Sequence, residues 1–456
     1  MKKISLIIMF FILVFSNTFS KNFEDDCLYL ETLLSDVAID MSLSLDENNL
    51  NVKNVLARIK SQYKAKASSE IISKEGIDKK VFANVINETY AKYSNKNGHV
   101  AITSEDEFLM PFSHQFVYYS DVYFTKENNS YIVYKNYKNI KKGTLYTGKT
   151  DNLFKTVYKN KILYRFGTFS SKIIKDSMIS LENKLYTVPV HGDVGSVKYT
   201  KDYEFKKIDN CLYLKIENCD FFDKKLEKKF FEDTEKFSKE FKNTNTIIFD
   251  FRNNLGGYSK YLKPFSYSLI FNNKTDDNDL QFSKWNKYLQ SGHKRINTKT
   301  MINKTISVGL LSSDYNTYCF QNLDKKYLVE GEVEQVNLTP WYKGKIYVLI
   351  NPLSCSTSEE FILCLKKLFG SNVIVIGQNS NGSLDYPDVY GYILPASKIK
   401  LNLSAIDYRE TNLLKEKSWH GDTMGFFPDY WCEPKDIVKT LSFLVGNKNL
   451  EKFIKL

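Results

Sequence analysis

Arginine is nearly missing from this chain. Arg58, Arg165, Arg252, Arg295 and Arg409 are the whole set in 456 residues, so the net charge of +11 rests on lysine. The lysines are spread through asparagine-rich stretches along the entire sequence, not gathered with aromatics on one face, which argues against nucleic-acid binding. Nine prolines and 20 glycines are too few for a collagen-like or linker-dominated chain. Cysteine is sparse and odd in number. Cys27, Cys211, Cys219, Cys319, Cys355, Cys364 and Cys432 are scattered, with no CxxC pair and no His/Cys cluster at ligand spacing. That excludes a disulfide framework and a structural zinc site, while an exported chain still has room for one or two bridges. Nothing points to a metal or an organic cofactor. Long apolar runs are absent too: after residue 15 no stretch approaches the ~20 residues that a membrane-spanning helix needs.

What is present is a large apolar share, 43% hydrophobic and 15% aromatic residues, enough to build buried cores in two or three domains. Met1-Lys2-Lys3, the apolar run Ile4 to Phe15 and the small polar segment ending at Ser20 have the three regions of a secretory signal peptide. The expectation is cleavage after Ser20 and a periplasmic or secreted protein with no integral span, an uncleaved membrane anchor being the alternative.

Residues 21–100 carry helical periodicity. Leu28, Leu30, Leu33, Leu34, Val37 and Ile39 make one stripe, and Val55, Leu56, Ile59, then Val81, Val85 and Ile86 make others. Residues 101–204 switch to short β-branched and aromatic runs, such as Phe116–Tyr119, Val122–Phe124, Tyr131–Tyr134 and Lys161–Tyr164, parted by polar turns such as Glu127–Ser130. From 205 to 456 strands and helices alternate. Leu212–Ile216, Thr246–Phe251, Lys345–Ile350 and Asn372–Ile376 read as strands. Leu226, Phe230, Phe237 and Phe241 share a helix face, and Glu359–Phe369 is a helix. A polar stretch at about 272–343 reads as an insertion. The fold class is an α/β core, with helices packed on a sheet, joined to a helical N-terminal domain and a β-rich middle domain.

Three segments of this core carry a chemical signal. Asp250-Phe251-Arg252-Asn253-Asn254-Leu255-Gly256-Gly257 follows a strand, and a Gly-Gly turn there lets backbone N–H groups face a crevice. Ser354-Cys355-Ser356-Thr357-Ser358-Glu359 joins a strand to an apolar helix. A serine at that junction sits beside unpaired N–H groups, although Ser356 to Glu359 also fits a plain capping box. Gly377-Gln378-Asn379-Ser380-Asn381-Gly382-Ser383 follows the next strand.

In this order the three segments resemble the tail-specific, or C-terminal processing, serine peptidase family. That family carries D-x-R-x-N-x-G-G, then S-x-x-E, then G-E-x-T-x-G. Gln378 and Ser380 stand here for the Glu and Thr. Gly425-Phe426-Phe427-Pro428-Asp429 is similar to the family's G-V/I-x-P-D segment, so the resemblance covers about 205–440. It implies Ser356 as nucleophile, an oxyanion hole from the N–H of Gly256 or Gly257 with that of Thr357, and Ser380 and Ser383 on the site wall. Where the Ser/Lys branch has its lysine this chain has Ser383, whose hydroxyl cannot act as the base at neutral pH. Asn97-Gly98-His99-Val100 resembles the D-G-H-T/V segment of the other branch, that of tricorn and the interphotoreceptor retinoid-binding proteins, which implies His99 as base. Asp422 stands nearest the place of its acidic partner, with Glu410 and Glu416 as competitors. The middle domain occupies the position of the family's PDZ module without a PDZ signature. The resemblance thus implies an exported endopeptidase acting on proteins or peptides, or else a silent member of the same fold that binds peptides or apolar ligands.

Overall fold

The computed structural model describes residues 22–68, 76–105, 107–192, 202–298, 322–331 and 333–454; the leader Met1–Ser20 lies outside them. Among the described residues no helix is long and apolar enough to cross a membrane. The chain divides into two compact units, the first made of residues 1–112, 294–328 and 388–407, the second of 113–293, 329–387 and 408–456.

Among the described residues the first unit is built on four helices, Phe23–Asp36, Ile39–Glu47, Val52–Lys66 and Lys79–Tyr93. Asn22, Asn51 and Asp78 cap three of them, each accepting hydrogen bonds from N–H groups of the first turn. The stripe expected from Leu28 to Ile39 is split in two. Val37 leaves the helical region at φ −127°, and Leu28 is exposed. Leu30, Leu33, Ile59, Phe82 and Ile86 pack with Tyr392, Leu401 and Leu403, which come from a distant stretch of sequence. Those three residues sit in a four-stranded sheet of order Val389–Ile393, Lys400–Ser404, Ala101–Thr103, Phe108–Leu109. The buried carboxylate of Asp26 receives the N–H groups of Ala396 at 2.6 Å and Ser397 at 2.8 Å, pinning the hairpin's turn to the first helix. Residues 388–407, read from sequence as part of the catalytic core, thus belong to the helical unit.

The second unit holds the α/β core. Its six-stranded sheet runs in the order Tyr430–Trp431, Val373–Gly377, Lys345–Ile350, Thr246–Asp250, Cys211–Ile216, Tyr203–Ile208, parallel throughout except for the last strand. The central strands carry the apolar runs Ile247–Phe249 and Ile346–Ile350 because both faces are covered. Helix Ile437–Val445 lies on one face through Ile437 and Leu441. On the other, Phe265 of helix Lys263–Ile270 and Phe361 of helix Thr357–Phe369 meet Phe249 edge-on. The polar stretch at 272–343 contains a helix, Asp276–Gln290, capped by Thr275.

The β-rich part of this unit is an antiparallel sheet of order Ser130–Val133, Phe116–Glu127, Lys161–Ser170, Leu153–Tyr158, followed by the hairpin Asp176–Leu181/Lys184–Pro189. Its tight turns, Asn128-Asn129, Lys159-Asn160 and Glu182-Asn183, have both residues at positive φ, the conformation whose twist matches paired strands. Phe116–Tyr119 and Val122–Phe124, separate in the sequence reading, are one strand with an irregularity between Tyr119 and Tyr123.

A buried ion network ties this sheet to the core. Arg165 donates to Ser120 O at 2.6 Å, Glu433 Oε1 at 2.6 Å and Asp121 Oδ1 at 2.9 Å, with only 5% of its side chain exposed. The burial penalty on Glu433 is outweighed by Arg165, holding its carboxyl down at about 2. Removing one partner of such a pair strands the other charge. Arg165→Ala should therefore lower unfolding free energy by about 3–5 kcal/mol in urea titration. A loss under about 1 kcal/mol, the range of a surface pair, would mean that the network is solvated.

Candidate active site

The three sequence segments converge at the carboxyl ends of neighbouring parallel strands, where an open α/β sheet forms its crevice. The first loop is held from within. Asp250 accepts from Arg252 Nε at 2.8 Å, Arg252 Nη2 at 2.6 Å and Tyr213 Oη at 2.7 Å, all buried. The guanidinium opposes the burial penalty and keeps the Asp250 carboxyl below its usual range. Asn254 spans the loop's two sides: its Nδ2 donates to Ile216 O at 2.8 Å, and its Oδ1 accepts Gly256 N–H at 2.8 Å. The N–H of Cys355 donates to Asn254 O at 2.9 Å, and the Asn351 side chain bonds both the side chain and the N–H of Asn253, so the first loop carries the second.

Ser356 stands at the start of helix Thr357–Phe369 with φ 53° and ψ −111°, a backbone state that a residue bearing a Cβ rarely adopts. Its surroundings are crowded. Gly256, at φ +85°, comes so close that a Cβ on it would lie 2.8 Å from Ser356 Cβ and 3.0 Å from Cys355 O. Only glycine allows that approach. Of the two predicted oxyanion glycines, Gly256 spends its N–H on Asn254, whereas Gly257, at φ +125°, spends its carbonyl on the Thr357 hydroxyl. Gly257 and Thr357 thus meet beside Ser356. The thiol of Cys355 is pushed far up by burial, which disfavours a thiolate there.

Behind Ser356 lies Glu359, wholly buried. Its carboxylate receives the N–H groups of Ser356 at 2.8 Å, Gly382 at 2.7 Å and Ser383 at 3.0 Å, and the Ser380 hydroxyl at 2.5 Å. Burial lifts its pKa to about 7 against the pull of those four bonds. Ser380 also accepts Phe426 N–H at 2.6 Å, and Ser383 donates to Asn381 Oδ1 at 2.6 Å, so both hydroxyls are spent holding the third loop. Asp422 is buried; its Oδ1 accepts Leu384 N–H at 2.7 Å and Asp385 N–H at 2.8 Å.

The histidines separate clearly. His99, in the first unit, is half-buried in a segment whose Asn97 side chain accepts its N–H at 2.9 Å. Just before it, Asn95 N–H donates to the carbonyl of the buried Asp40, whose carboxylate takes the Tyr90 hydroxyl at 2.8 Å. His114 lies against the third loop. Its Nδ1 donates to Asn381 O at 2.8 Å and its Nε2 faces Asn379 Nδ2 at 3.3 Å. Burial holds its pKa down at about 4, so it is neutral and fully engaged. No motif flagged this contact because it joins positions 265 residues apart. His191 bonds Glu433 at 3.1 Å, His293 bonds Gln290 O at 2.8 Å, and His420 stacks on Phe427.

At this site a strained serine opens a helix, flanked by glycine backbone and backed by a buried glutamate. Residues 210–410 match the family model described as peptidase family S41. No curated protein matches the chain. Among solved structures it is similar to mature CPAF (13% identity, TM-score 0.41, covering 94% of this chain and 95% of that one). It is also similar to a photosystem II D1 C-terminal processing protease (11%, TM-score 0.37, 94% and 99%). Tricorn protease matches at 15% identity and TM-score 0.33, over 93% of this chain and 35% of that one.

The raised pKa of Glu359 has a signed consequence. A carboxyl whose folded value lies above its unfolded one contributes stability that is complete below the unfolded pKa and lost as pH rises through the folded one. The unfolding free energy of the parent minus that of Glu359→Gln should therefore shrink between pH 4.5 and about 7 and level off above. Urea titrations at four pH values in that range test this, and a flat difference would show that Glu359 does not titrate there.

Proposed function

We propose that this protein is an exported serine endopeptidase in which Ser356 is the nucleophile and His99 the base. The observation that carries the reading is the strained backbone of Ser356, at φ 53° beside Gly256 at a helix start. Strain of this kind costs on the order of 1–3 kcal/mol and is retained where it aims a side chain. In the reaction the Ser356 hydroxyl attacks a peptide carbonyl carbon while its proton passes to the His99 imidazole. The N–H groups of Gly257 and Thr357 stabilise the oxyanion, His99 returns the proton to the leaving amine, and water then hydrolyses the acyl-enzyme. Gly257 is preferred to Gly256 because the latter's N–H is committed to Asn254. Asp422 is the proposed orienting carboxylate for His99, with Glu410 and Glu416 as competitors. Export rests on the leader sequence.

Two observations favour His99 over other bases. The position of the missing lysine is filled by Ser383, whose hydroxyl is bonded to Asn381, and the ring nitrogens of His114 are both occupied. The same missing lysine also suits the second reading, a silent member of the fold that binds peptides or apolar ligands.

Ser356→Ala should abolish both peptide cleavage and labelling by a serine-reactive phosphonate. His99→Ala should reduce both by about 10²–10⁴, the usual contribution of a general base. Ser383→Ala should keep most of the activity. Labelling of the parent should rise with pH near ~6.5, the ordinary range of an imidazole. Unchanged cleavage by Ser356→Ala would refute the assignment, whereas a parent that neither cleaves nor is labelled would point to the silent binder.

A further inference from the structure

A cavity of about 810 Å³ in the second unit opens between helix Lys224–Ser238, helix Lys263–Ile270 and the N-terminal half of helix Asp276–Gln290. Its size falls within the range of ligand sites, roughly 300–1,000 Å³. The walls are aromatic: Phe231, Tyr267, Phe271, Phe282 and Trp341 all line it and all are only half-buried. The rim is basic. Lys239, Lys242, Lys260, Lys263 and Lys274 line the cavity against only two carboxylates, Glu235 and Asp279. Lys239 is paired with Glu235 and Lys260 with Glu227, whereas Lys242, Lys263 and Lys274 are exposed with no carboxylate in ion-pair range among the described residues. A concave aromatic surface ringed by uncompensated lysines attracts an apolar body that carries negative charge.

A small neighbouring pocket of about 20 Å³, lined in part by Lys263, Ser266, Phe282, Thr357, Glu360 and Phe361, shares Lys263 and Phe282 with the cavity, and Thr357 directly follows Ser356 in sequence. We propose that this cavity is a specificity subsite that takes an acidic, aromatic-bearing segment of the substrate chain. That the bound segment is a substrate rests on the peptidase reading above; the binding itself does not. The aromatic walls take the apolar side chain, and Lys242, Lys263 and Lys274 take the carboxylates, so the site would set which peptides are retained.

Binding is measured apart from cleavage, with the full-length chain carrying Ser356→Ala and three fluorescein-labelled decapeptides. One holds two Asp and a Phe, one has the Asp residues replaced by Lys, and one has the Phe replaced by Gly. The acidic aromatic peptide should bind at least tenfold more tightly than the other two. Adding Lys242→Glu and Lys274→Glu together should abolish its advantage over the lysine peptide, and Phe282→Ala should abolish its advantage over the glycine peptide; thermal melting of each variant checks that it folds. Equal binding of the acidic and lysine peptides, or an advantage untouched by the charge reversals in folded protein, overturns the proposal. So does decanoate binding with no peptide binding, which would assign the cavity to a small amphiphile. With Ser356 restored, the charge reversals should raise KM for the acidic peptide and leave kcat in place. If the acidic peptide binds as expected yet the parent cleaves nothing, the peptidase reading fails while the acidic-peptide site stands.

Discussion

One buried carboxylate holds the site together. Glu359 collects three backbone N–H groups and a hydroxyl from two loops that are separated in sequence by more than a helix, and it does so with no exposure to solvent. A charge in such a place is tolerable only when its lone pairs are met, and here four donors converge on two oxygens. The geometry of Ser356's own N–H and that of the third loop are therefore set by the same atoms. Moving one moves the other.

A second constraint works one strand away. The bidentate Asp250–Arg252 pair, with the Tyr213 hydroxyl, fixes the start of the first loop, and Asn254 fixes its end by bonding across it. The Gly256–Gly257 backbone can then approach Ser356 closely without being pulled there by a favourable contact of its own. Labour within the D-x-R-x-N-x-G-G segment is divided accordingly. Its polar residues support the loop, and its glycines are the part that meets the serine.

Much of this was legible in sequence because it lies in local patterns. Apolar strands followed by glycine-bearing loops located the crevice, and the Ser356–Glu359 spacing suggested a cap. That cap is real and is also the core of the site: the glutamate that caps the helix is the one that organises the third loop. Long-range events were not legible. The hairpin at 388–407 joins the helical unit because Tyr392, Leu401 and Leu403 fill its core, and nothing in their local pattern distinguishes that core from the nearer one. The place of His114 was not legible because its partners, Asn379 and Asn381, are remote in sequence. The aromatic, lysine-rich cavity arises from three helices, each of which reads alone as an ordinary amphipathic segment.

The strain at Ser356 is held by bonds on both sides. The preceding residue is tethered through Cys355 N–H to Asn254 O, Ser356's own N–H is bound by Glu359, and its carbonyl accepts Glu360 N–H at 2.9 Å as the helix begins. Three backbone bonds of about 1 kcal/mol net each suffice to offset a dihedral cost of on the order of 1–3 kcal/mol. The side-chain oxygen is not needed for any of the three. A helix start that depended on the serine hydroxyl alone would tie up the group that the proposed chemistry uses. Here the glutamate caps the serine's backbone, which keeps the strained turn in place while the hydroxyl proton remains available for transfer in the proposed attack.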